Sequence, residues 1–168
     1  ILGGVRIGTR TWLGIGAAAI ALLGVASVNA RDWLLYNHTP SVPTGWYVRS
    51  SDEIARGALV TVRAQDVAPD YAEARNFSDA GDRFIKRIAA NDGDSVCADG
   101  ETIRVNDRTV AHRASRDSEG RDLPRWSGCT VLSADEVFLM GDTPDSFDSR
   151  YFGPVSVDDV EGVWRKLF

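Results

Sequence analysis

With 168 residues and a net charge of −5, the chain is long enough for one domain with a buried core and carries no overall attraction for nucleic acid. Its basic residues are scattered rather than clustered, which excludes a basic binding face. No CxxC, HExxH, GxxxxGK[ST] or GxGxxG spacing occurs. We therefore expect no metal ion, no phosphate-binding loop and no organic cofactor.

An uncharged run, TWLGIGAAAIALLGVASV at residues 11–28, stands near the N-terminus behind Arg6 and Arg10. As a helix it would be about 27 Å long, which is just enough to cross the hydrocarbon core of a bilayer. We predict one transmembrane helix with its N-terminus in the cytoplasm, because the arginines precede it. A cleaved signal peptide ending at VNA (28–30) and a buried helix are the alternatives.

The anchor divides the chain into residues 1–30, a cytoplasmic stub with the membrane segment, and residues 31–168, an exported domain. A cleaved signal peptide would export the same domain. Both interpretations place Cys97 and Cys129 in an oxidising compartment, where a disulfide between them is plausible. Two buried free thiols are the alternative.

Beyond residue 30 the pattern is that of short strands, rich in β-branched residues and separated by turns that contain Gly and Asp. One stretch, residues 66–82, looks helical, although Pro69 limits it. Residues 111–128 are charged and nearly free of aliphatic side chains, which predicts a solvated loop. The predicted fold is mainly β, an antiparallel domain with one N-terminal transmembrane helix. Strands are expected at residues 57–63, 83–90, 94–98, 102–107, 130–142 and 160–168.

The stretch HTPSVPTGWY, residues 38–47, holds a serine, Ser41, between Pro40 and Pro43. Prolines fix their own φ and push the residue before them toward extended geometry, so this segment should be extended and rigid. Such a segment presents a hydroxyl in one direction. An ordinary rigid turn would have the same composition.

A serine hydroxyl becomes a nucleophile only when a base takes its proton. His38 lies too close to Ser41 along an extended chain, and His112 lies in the predicted loop. Alternation in the strand at residues 83–90 places Lys86 on an apolar face, where burial would lower the pKa of its amine. A lysine that extends its amine to water is the alternative.

The segment GDTPDSFDSRYFG, residues 141–153, follows an apolar strand and is bounded by glycines. By itself it fits a surface loop with an ion pair between Asp148 and Arg150. Together with Ser41 after the anchor and KRIAANDGDSV at residues 86–96, it resembles the signal peptidase I superfamily of serine–lysine leader peptidases. That family has a serine box after its anchor, a strand with the basic lysine before a Gly-Asp turn, and a GDNxxxSxDSRxxG box, in this order.

The match has departures that help to place the subgroup. Thr143 stands where the family usually has Asn, Asp145 stands where Asn is common, and NDGD at residues 91–94 replaces the usual xPGD. The first box, NHTPSVPTGWY at residues 37–47, has a proline two residues after the serine, whereas general leader peptidases usually have Ser-Met-x-Pro. This form resembles the TraF-type peptidases of conjugative transfer systems, which mature a pilin subunit. A general leader peptidase is the alternative.

The resemblance implies a serine endopeptidase in which Ser41 is the nucleophile and neutral Lys86 takes and returns its proton. The oxyanion would be held by the backbone N–H of Ser41 and by the hydroxyl of Thr39. The supporting residues implied by the match are Ser146, which would orient the lysine amine, the ion pair of Asp148 and Arg150, and Gly141 and Asp142, which would shape the strand end.

The resemblance also implies a location and partners. The exported domain would lie on the periplasmic side of the bacterial inner membrane and act on a protein, a pilin or another leader-bearing precursor. This substrate would lie beside Ser41 as an added β-strand, with small residues at the cleavage site. The aromatic residues Trp33, Tyr36 and Trp46 fit either the bilayer interface or the core. Other transfer-apparatus proteins are candidate partners, and nucleic acid is not.

Two functions of other kinds stay compatible with the residues: a Ser–His hydrolase that uses His38 or His112, and a non-catalytic, membrane-anchored β module of an envelope complex. The separation of the Ser41 hydroxyl and the Lys86 amine discriminates among them. The residues leave open whether cleavage ends in hydrolysis or in aminolysis by a chain terminus, which would give a cyclic pilin.

Overall fold

The computed structural model describes residues 33–77 and 81–168. The predicted membrane segment at residues 11–28 and the predicted boundary at residue 30 lie outside these ranges. Within the described ranges, no helix has the length and apolar character needed to span a bilayer. Tyr36–Phe168 form one compact unit, which contains every residue predicted for the active site.

Most of this unit is antiparallel β-structure, as the sequence predicted. The strands form a seven-stranded sheet of order β1-β2-β11-β3-β4-β9-β10 and a four-stranded sheet of order β7-β6-β5-β8. The described elements are β1 (Leu34–Asn37), β2 (Gly45–Ser50), β3 (Leu59–Arg63), α1 (Ala64–Val67), α2 (Pro69–Ala74), β4 (Arg83–Ala90), β5 (Ser95–Asp99), β6 (Thr102–Val105), β7 (Arg108–His112), β8 (Gly128–Val131), β9 (Glu136–Met140), α3 (Ser149–Phe152), β10 (Val155–Ser156), a 3-10 turn (Val157–Asp159) and β11 (Val160–Lys166).

Strand β9 serves both of the hydrophobic clusters that stabilise the domain. Successive side chains of a strand point to opposite faces, so Val137 and Leu139 enter one cluster while Phe138 enters the other. The first cluster is completed by residues of other strands of the sheet, such as Val60 of β3 and Ile88 of β4. Each fully buried side chain of this kind contributes about 1.5–3 kcal/mol. The position of β9 is thereby fixed on both faces.

The prediction of one strand over residues 130–142 is wrong, because two strands of different sheets occupy this stretch. β8 ends at Val131 and β9 begins at Glu136. A turn separates them, in which the backbone N–H of Glu136 donates to the carbonyl of Ser133 and the Glu136 carboxylate accepts from the Ser133 N–H. The polar residues of this turn interrupt an otherwise continuous apolar run.

Two short helices, α1 and α2, overlap the helical stretch predicted at residues 66–82, but they begin at Ala64 and end at Ala74. The second begins at Pro69, where the missing N–H of proline costs nothing because the first N–H groups of a helix have no partner within it. Four short strands were not predicted: β1, β2, β7 and β10. β7 is mostly exposed and β10 has two residues, so neither produces a clear alternation of apolar side chains.

The expected loop at residues 111–128 runs from the end of β7 to the start of β8, and a disulfide lies near its end. Cys97 and Cys129 face each other across the β5–β8 pair, and the structure joins them. Arg113 anchors the loop, since its buried guanidinium donates to the carbonyl oxygens of Gly100, Trp126 and Arg150. The loop is thereby attached to the segment that begins at Gly141.

Candidate active site

The loop that carries Ser41 is held from inside by two buried side chains. Asn37, the last residue of β1, donates from Nδ2 to the carbonyl oxygens of Thr39 and Val42, at 2.8 and 3.0 Å. Tyr47 of β2 is fully buried and donates its hydroxyl to the carbonyl oxygen of Pro43. The prolines restrict the dihedral angles of this loop, and these hydrogen bonds fix it to the sheet.

The side chains of Ser41 and Thr39 lie next to each other at the surface of this loop. Their hydroxyl oxygens are 3.2 Å apart, and the Thr39 hydroxyl also donates to Asn37 Oδ1 at 2.9 Å. Ser41 is half-buried and Thr39 is exposed. The predicted nucleophile and the predicted second oxyanion donor are therefore neighbours.

Lys86 lies in the middle of β4 and is almost completely buried. It is 4% exposed, and its cross-strand partner in β3 is Val60. Burial lowers the pKa of its amine from 10.5 to about 8; the nearby charge of Arg150 acts in the same direction, and those of Asp148 and Asp142 oppose it. The amine thus stands in an apolar site, as the alternation of β4 predicted, and not in water.

The register of β4 and β9 directs Lys86 toward the Ser41 loop. Arg87 lies opposite Met140, so the next position along this register places Lys86 beside Gly141. A Cβ on Gly141 would lie 2.1 Å from Ser146 Oγ and 2.9 Å from the carbonyl oxygen of Ser41. Because cross-strand neighbours project to the same face, the side chain of Lys86 leaves the sheet on the face where Ser41 and Ser146 lie.

Asp142 connects the segment after β9 to the other two boxes. Its backbone N–H donates to the carbonyl oxygen of Ser41 at 2.6 Å. Its carboxylate accepts two hydrogen bonds of 3.0 Å from the guanidinium of Arg87, which also donates to the carbonyl of Gly57. The Arg87–Asp142 pair was not predicted, although Arg87 follows the predicted catalytic lysine and Asp142 belongs to the predicted third box.

Asp148 and Arg150 form a buried ion pair under the site. Arg150 Nε and Nη2 donate to the two carboxylate oxygens at 2.8 and 2.6 Å, and both side chains are nearly inaccessible to solvent. The same guanidinium donates to the carbonyl oxygens of Pro144 and Thr143, while Asp148 Oδ2 accepts from the N–H of Gly141. The pair closes the loop between Gly141 and Arg150 into one rigid unit.

Ser146 is buried at the predicted place, but its hydroxyl has a different partner. Its Oγ lies 3.0 Å from Thr143 Oγ1. Thr143 occupies the position at which the family usually has Asn, and this departure is the sequence signal for the pairing. Among the described residues, Lys86 Nζ makes no hydrogen bond with Ser146 or with Ser41.

The two histidines are exposed, and neither contacts Ser41 through a hydrogen bond among the described residues. His38 is exposed on the loop before Ser41, and His112 is exposed at the end of β7. Within residues 33–77 and 81–168, neither imidazole makes a hydrogen bond with Ser41. In the same part of the chain, no group of three or more His, Cys, Asp or Glu side chains is placed to hold a metal ion.

Comparison with known proteins supplies the family. The family described as signal peptidase, peptidase S26, matches residues 7–168. A plasmid transfer protein TraF of Escherichia coli is 34% identical over 170 residues, which cover 90% of each chain. A second E. coli protein of that name is 33% identical over 96% of this chain and 97% of its own length. A probable conjugal transfer protein TraF of Sinorhizobium fredii is 31% identical over 96% and 91%.

Among solved structures, a signal peptidase I from Enterococcus faecalis matches with a TM-score of 0.40 and 22% identity, over 68% of this chain and 98% of its own. The family match covers all three boxes described above, and the TraF relatives extend over nearly the whole chain. The chain belongs to the signal peptidase family, peptidase S26, and within it is similar to the TraF proteins of plasmid transfer.

Proposed function

We propose that the protein is a membrane-anchored serine endopeptidase that matures the pilin subunit of a conjugative transfer system, with Ser41 as nucleophile and Lys86 as general base. The observation that carries the proposal is the burial of Lys86 on the sheet face where the carbonyl of Ser41 meets Gly141. A buried amine with a lowered pKa on this face is the base that a serine without a histidine requires.

The lowered pKa makes the amine usable near neutral pH. With a pKa of about 8, roughly one amine in ten is neutral at pH 7, whereas an ordinary lysine is neutral in fewer than one molecule in a thousand. The neutral amine takes the Ser41 proton as Oγ attacks the scissile carbonyl, and it returns a proton to the leaving amine. Water or a chain terminus then attacks the acyl-enzyme ester and releases Ser41.

Ser41 Oγ and Lys86 Nζ are the two atoms that must approach each other when substrate binds. In the free protein the Ser41 hydroxyl instead lies against Thr39. Hydrogen bonds of this kind often tighten only in the complex with substrate. The oxyanion of the tetrahedral intermediate is held by the N–H of Ser41 and by the Thr39 hydroxyl, whose oxygen lies 3.2 Å from Ser41 Oγ.

The relatives and the surface beside the loop support the proposed location and substrate. The relatives bear names of plasmid and conjugal transfer, which supports a pilin precursor as substrate and other transfer proteins as partners. Tyr36 and Trp46 are half exposed and pack edge to face with ring centroids 5.0 Å apart, which suits a bilayer interface. We place the domain on the periplasmic side of the inner membrane, where the Cys97–Cys129 disulfide is stable.

Cleavage of two precursors by the full chain in detergent tests this proposal. One precursor is the pilin subunit of the same transfer system, and the other is a general secretory precursor; Ser41→Ala is the inactive variant and the exposed Ser127→Ala the matched control. We expect the wild type and Ser127→Ala to cleave the pilin precursor in preference, and Ser41→Ala to cleave neither. Equal or better cleavage of the secretory precursor would identify a general leader peptidase. Cleavage of neither by the wild type would identify a non-catalytic module.

A further inference from the structure

Asn37 is a buried polar residue at the end of β1. It is 5% exposed and lies immediately before the loop that carries Ser41. Its amide nitrogen faces the carbonyl oxygens of Thr39, Val42 and Pro43, at 2.8, 3.0 and 3.3 Å. Its amide oxygen accepts from the backbone N–H of Thr39 at 3.2 Å and from the Thr39 hydroxyl at 2.9 Å.

These partners fix the direction of every hydrogen bond in the network. Carbonyl oxygens can only accept and a backbone N–H can only donate, so the nitrogen and oxygen of the Asn37 amide cannot be exchanged. Asn37 Oδ1 therefore accepts the single hydroxyl proton of Thr39. It follows that the 3.2 Å contact between Thr39 Oγ1 and Ser41 Oγ uses the proton of Ser41.

We propose that Asn37 is a positioning residue for the peptidase reaction, which holds Thr39 in place through its backbone N–H and carbonyl and so keeps the Thr39 hydroxyl beside Ser41 and the oxyanion site; this inference rests on the function proposed above. In the resting site the Ser41 hydroxyl donates a hydrogen bond to Thr39 Oγ1, and the Thr39 hydroxyl donates one to Asn37 Oδ1. When the Ser41 proton passes to Lys86, the Thr39 hydroxyl rotates about its Cβ–Oγ1 bond and donates to the developing oxyanion. This step breaks the hydrogen bond to Asn37 and forms one to the oxyanion.

A double-mutant cycle with Asn37→Ala and Thr39→Val tests the proposal. If Asn37 acts only through the Thr39 hydroxyl, then Asn37→Ala lowers kcat no further once Thr39→Val has removed that hydroxyl. The assay follows cleavage of an internally quenched peptide with alanines before the scissile bond, in detergent, by the full chain. We expect each single variant to lower kcat roughly tenfold to hundredfold with little change in KM. We expect the double variant to be no slower than the slower single variant.

Asn106→Ala is the matched control, since Asn106 is also a turn residue whose amide both accepts and donates. It accepts from the N–H of Ser95 and donates to Asp94, in the turn between β6 and β7 of the four-stranded sheet, whereas the Ser41 loop joins β1 and β2 of the seven-stranded sheet. This variant should lower the unfolding temperature and leave kcat unchanged. Circular dichroism shows whether each variant is folded at the assay temperature. Asn37→Ser repeats the cycle if Asn37→Ala does not fold.

Three results would overturn the inference. The first is a double variant whose fold-loss of kcat is the product of the two single losses, and the second is an Asn37→Ala protein with wild-type kcat. The third is failure of both Asn37 variants to fold, because Asn37 would then serve only the fold. Failure of the proposed function looks different. In that case Ser41→Ala and Lys86→Arg, measured beside the cycle, would retain activity.

Discussion

The backbone N–H of Asp142 donates to the carbonyl oxygen of Ser41 over 2.6 Å, and this hydrogen bond joins the end of β9 to the loop of the nucleophile. Gly141, the preceding residue, follows Met140, which is the cross-strand partner of Arg87, so that an extension of this register brings Gly141 beside Lys86. The two predicted catalytic residues are thus positioned by the same two residues of the third box. Changes at this junction should affect the site more than changes elsewhere on the sheet.

Gly141→Ala is expected to abolish activity and to destabilise the domain. The added Cβ would lie 2.1 Å from Ser146 Oγ and 2.9 Å from the Ser41 carbonyl oxygen, so the nucleophile loop or the third box must shift. Overpacking of this kind costs about 1–3 kcal/mol or more. Gly81→Ala is the control, because within residues 33–77 and 81–168 no atom outside its chain neighbours lies within 4 Å of the Cβ that it would gain. Activity and urea unfolding measure both effects, and a Gly141→Ala protein with normal cleavage would refute the close approach.

Asp148→Ala should lower the free energy of unfolding by about 3–5 kcal/mol, because it leaves the charge of Arg150 buried without its partner. The backbone N–H of Gly141 would also lose its carboxylate partner. The matched control is Asp122→Ala, which breaks the exposed pair of Asp122 with Arg116 and should cost less than about 1 kcal/mol. Equal losses for the two variants would contradict a supporting role of the buried pair.

The buried amine of Lys86 should make stability rise with pH in the alkaline range. Burial lowers the pKa of this amine to about 8, and an unfolded lysine titrates near 10.5, so between these values the unfolded chain binds more protons than the folded one. The folded state should therefore gain about 3 kcal/mol as the pH rises from 8 to 10.5.

Comparison with Lys86→Met isolates this contribution from that of other alkaline groups. Urea unfolding of both proteins at pH 7.5 and pH 10 measures it, with the exposed Lys166→Met as control. We expect the variant to lack most of the gain and the control to keep it. The same gain in Lys86→Met and wild type would show that the amine is solvated.

Removal of the disulfide should weaken the fold and spare the chemistry. The bond between Cys97 and Cys129 closes a segment with a sequence separation of 32. Loss of such a constraint costs about 3–4 kcal/mol in the chain-entropy account. The Cys97→Ala/Cys129→Ala protein should unfold at lower urea concentration and cleave substrate normally at 25 °C. A large loss of kcat in the folded variant would instead connect the four-stranded sheet to the site.

The antiparallel β fold and the three boxes could be predicted because they depend on local patterns. Alternation along residues 83–90 placed Lys86 on an apolar face, although it left open a lysine that reaches water, and the prolines around Ser41 marked a rigid loop. The inner contacts of the loop could not be predicted, because Asn37 and Tyr47 reach it only after β1 and β2 have formed. Neither strand shows a clear alternation in the sequence.

The hydrogen-bond partner of Ser146 shows a second reason why some contacts of the site could not be predicted from the sequence. The resemblance implied a hydrogen bond between the Ser146 hydroxyl and the Lys86 amine, whereas in the structure this hydroxyl pairs with that of Thr143. A hydroxyl chooses among several neighbours by small differences in loop geometry, and a motif records only the residue types. The Arg87–Asp142 ion pair was not predicted for another reason: its two residues become neighbours only through the register of β4 and β9.

The most direct test of the Ser41–Lys86 mechanism is the pH dependence of kcat/KM for cleavage of the pilin precursor. For the wild type we expect the rate to rise about tenfold per pH unit from pH 6 and to level off near pH 8, as the amine of Lys86 loses its proton. His38→Ala should give the same profile, and Lys86→Arg should be inactive at every pH, because arginine stays protonated. Normal cleavage by Lys86→Arg, or loss of the profile in His38→Ala, would contradict the mechanism.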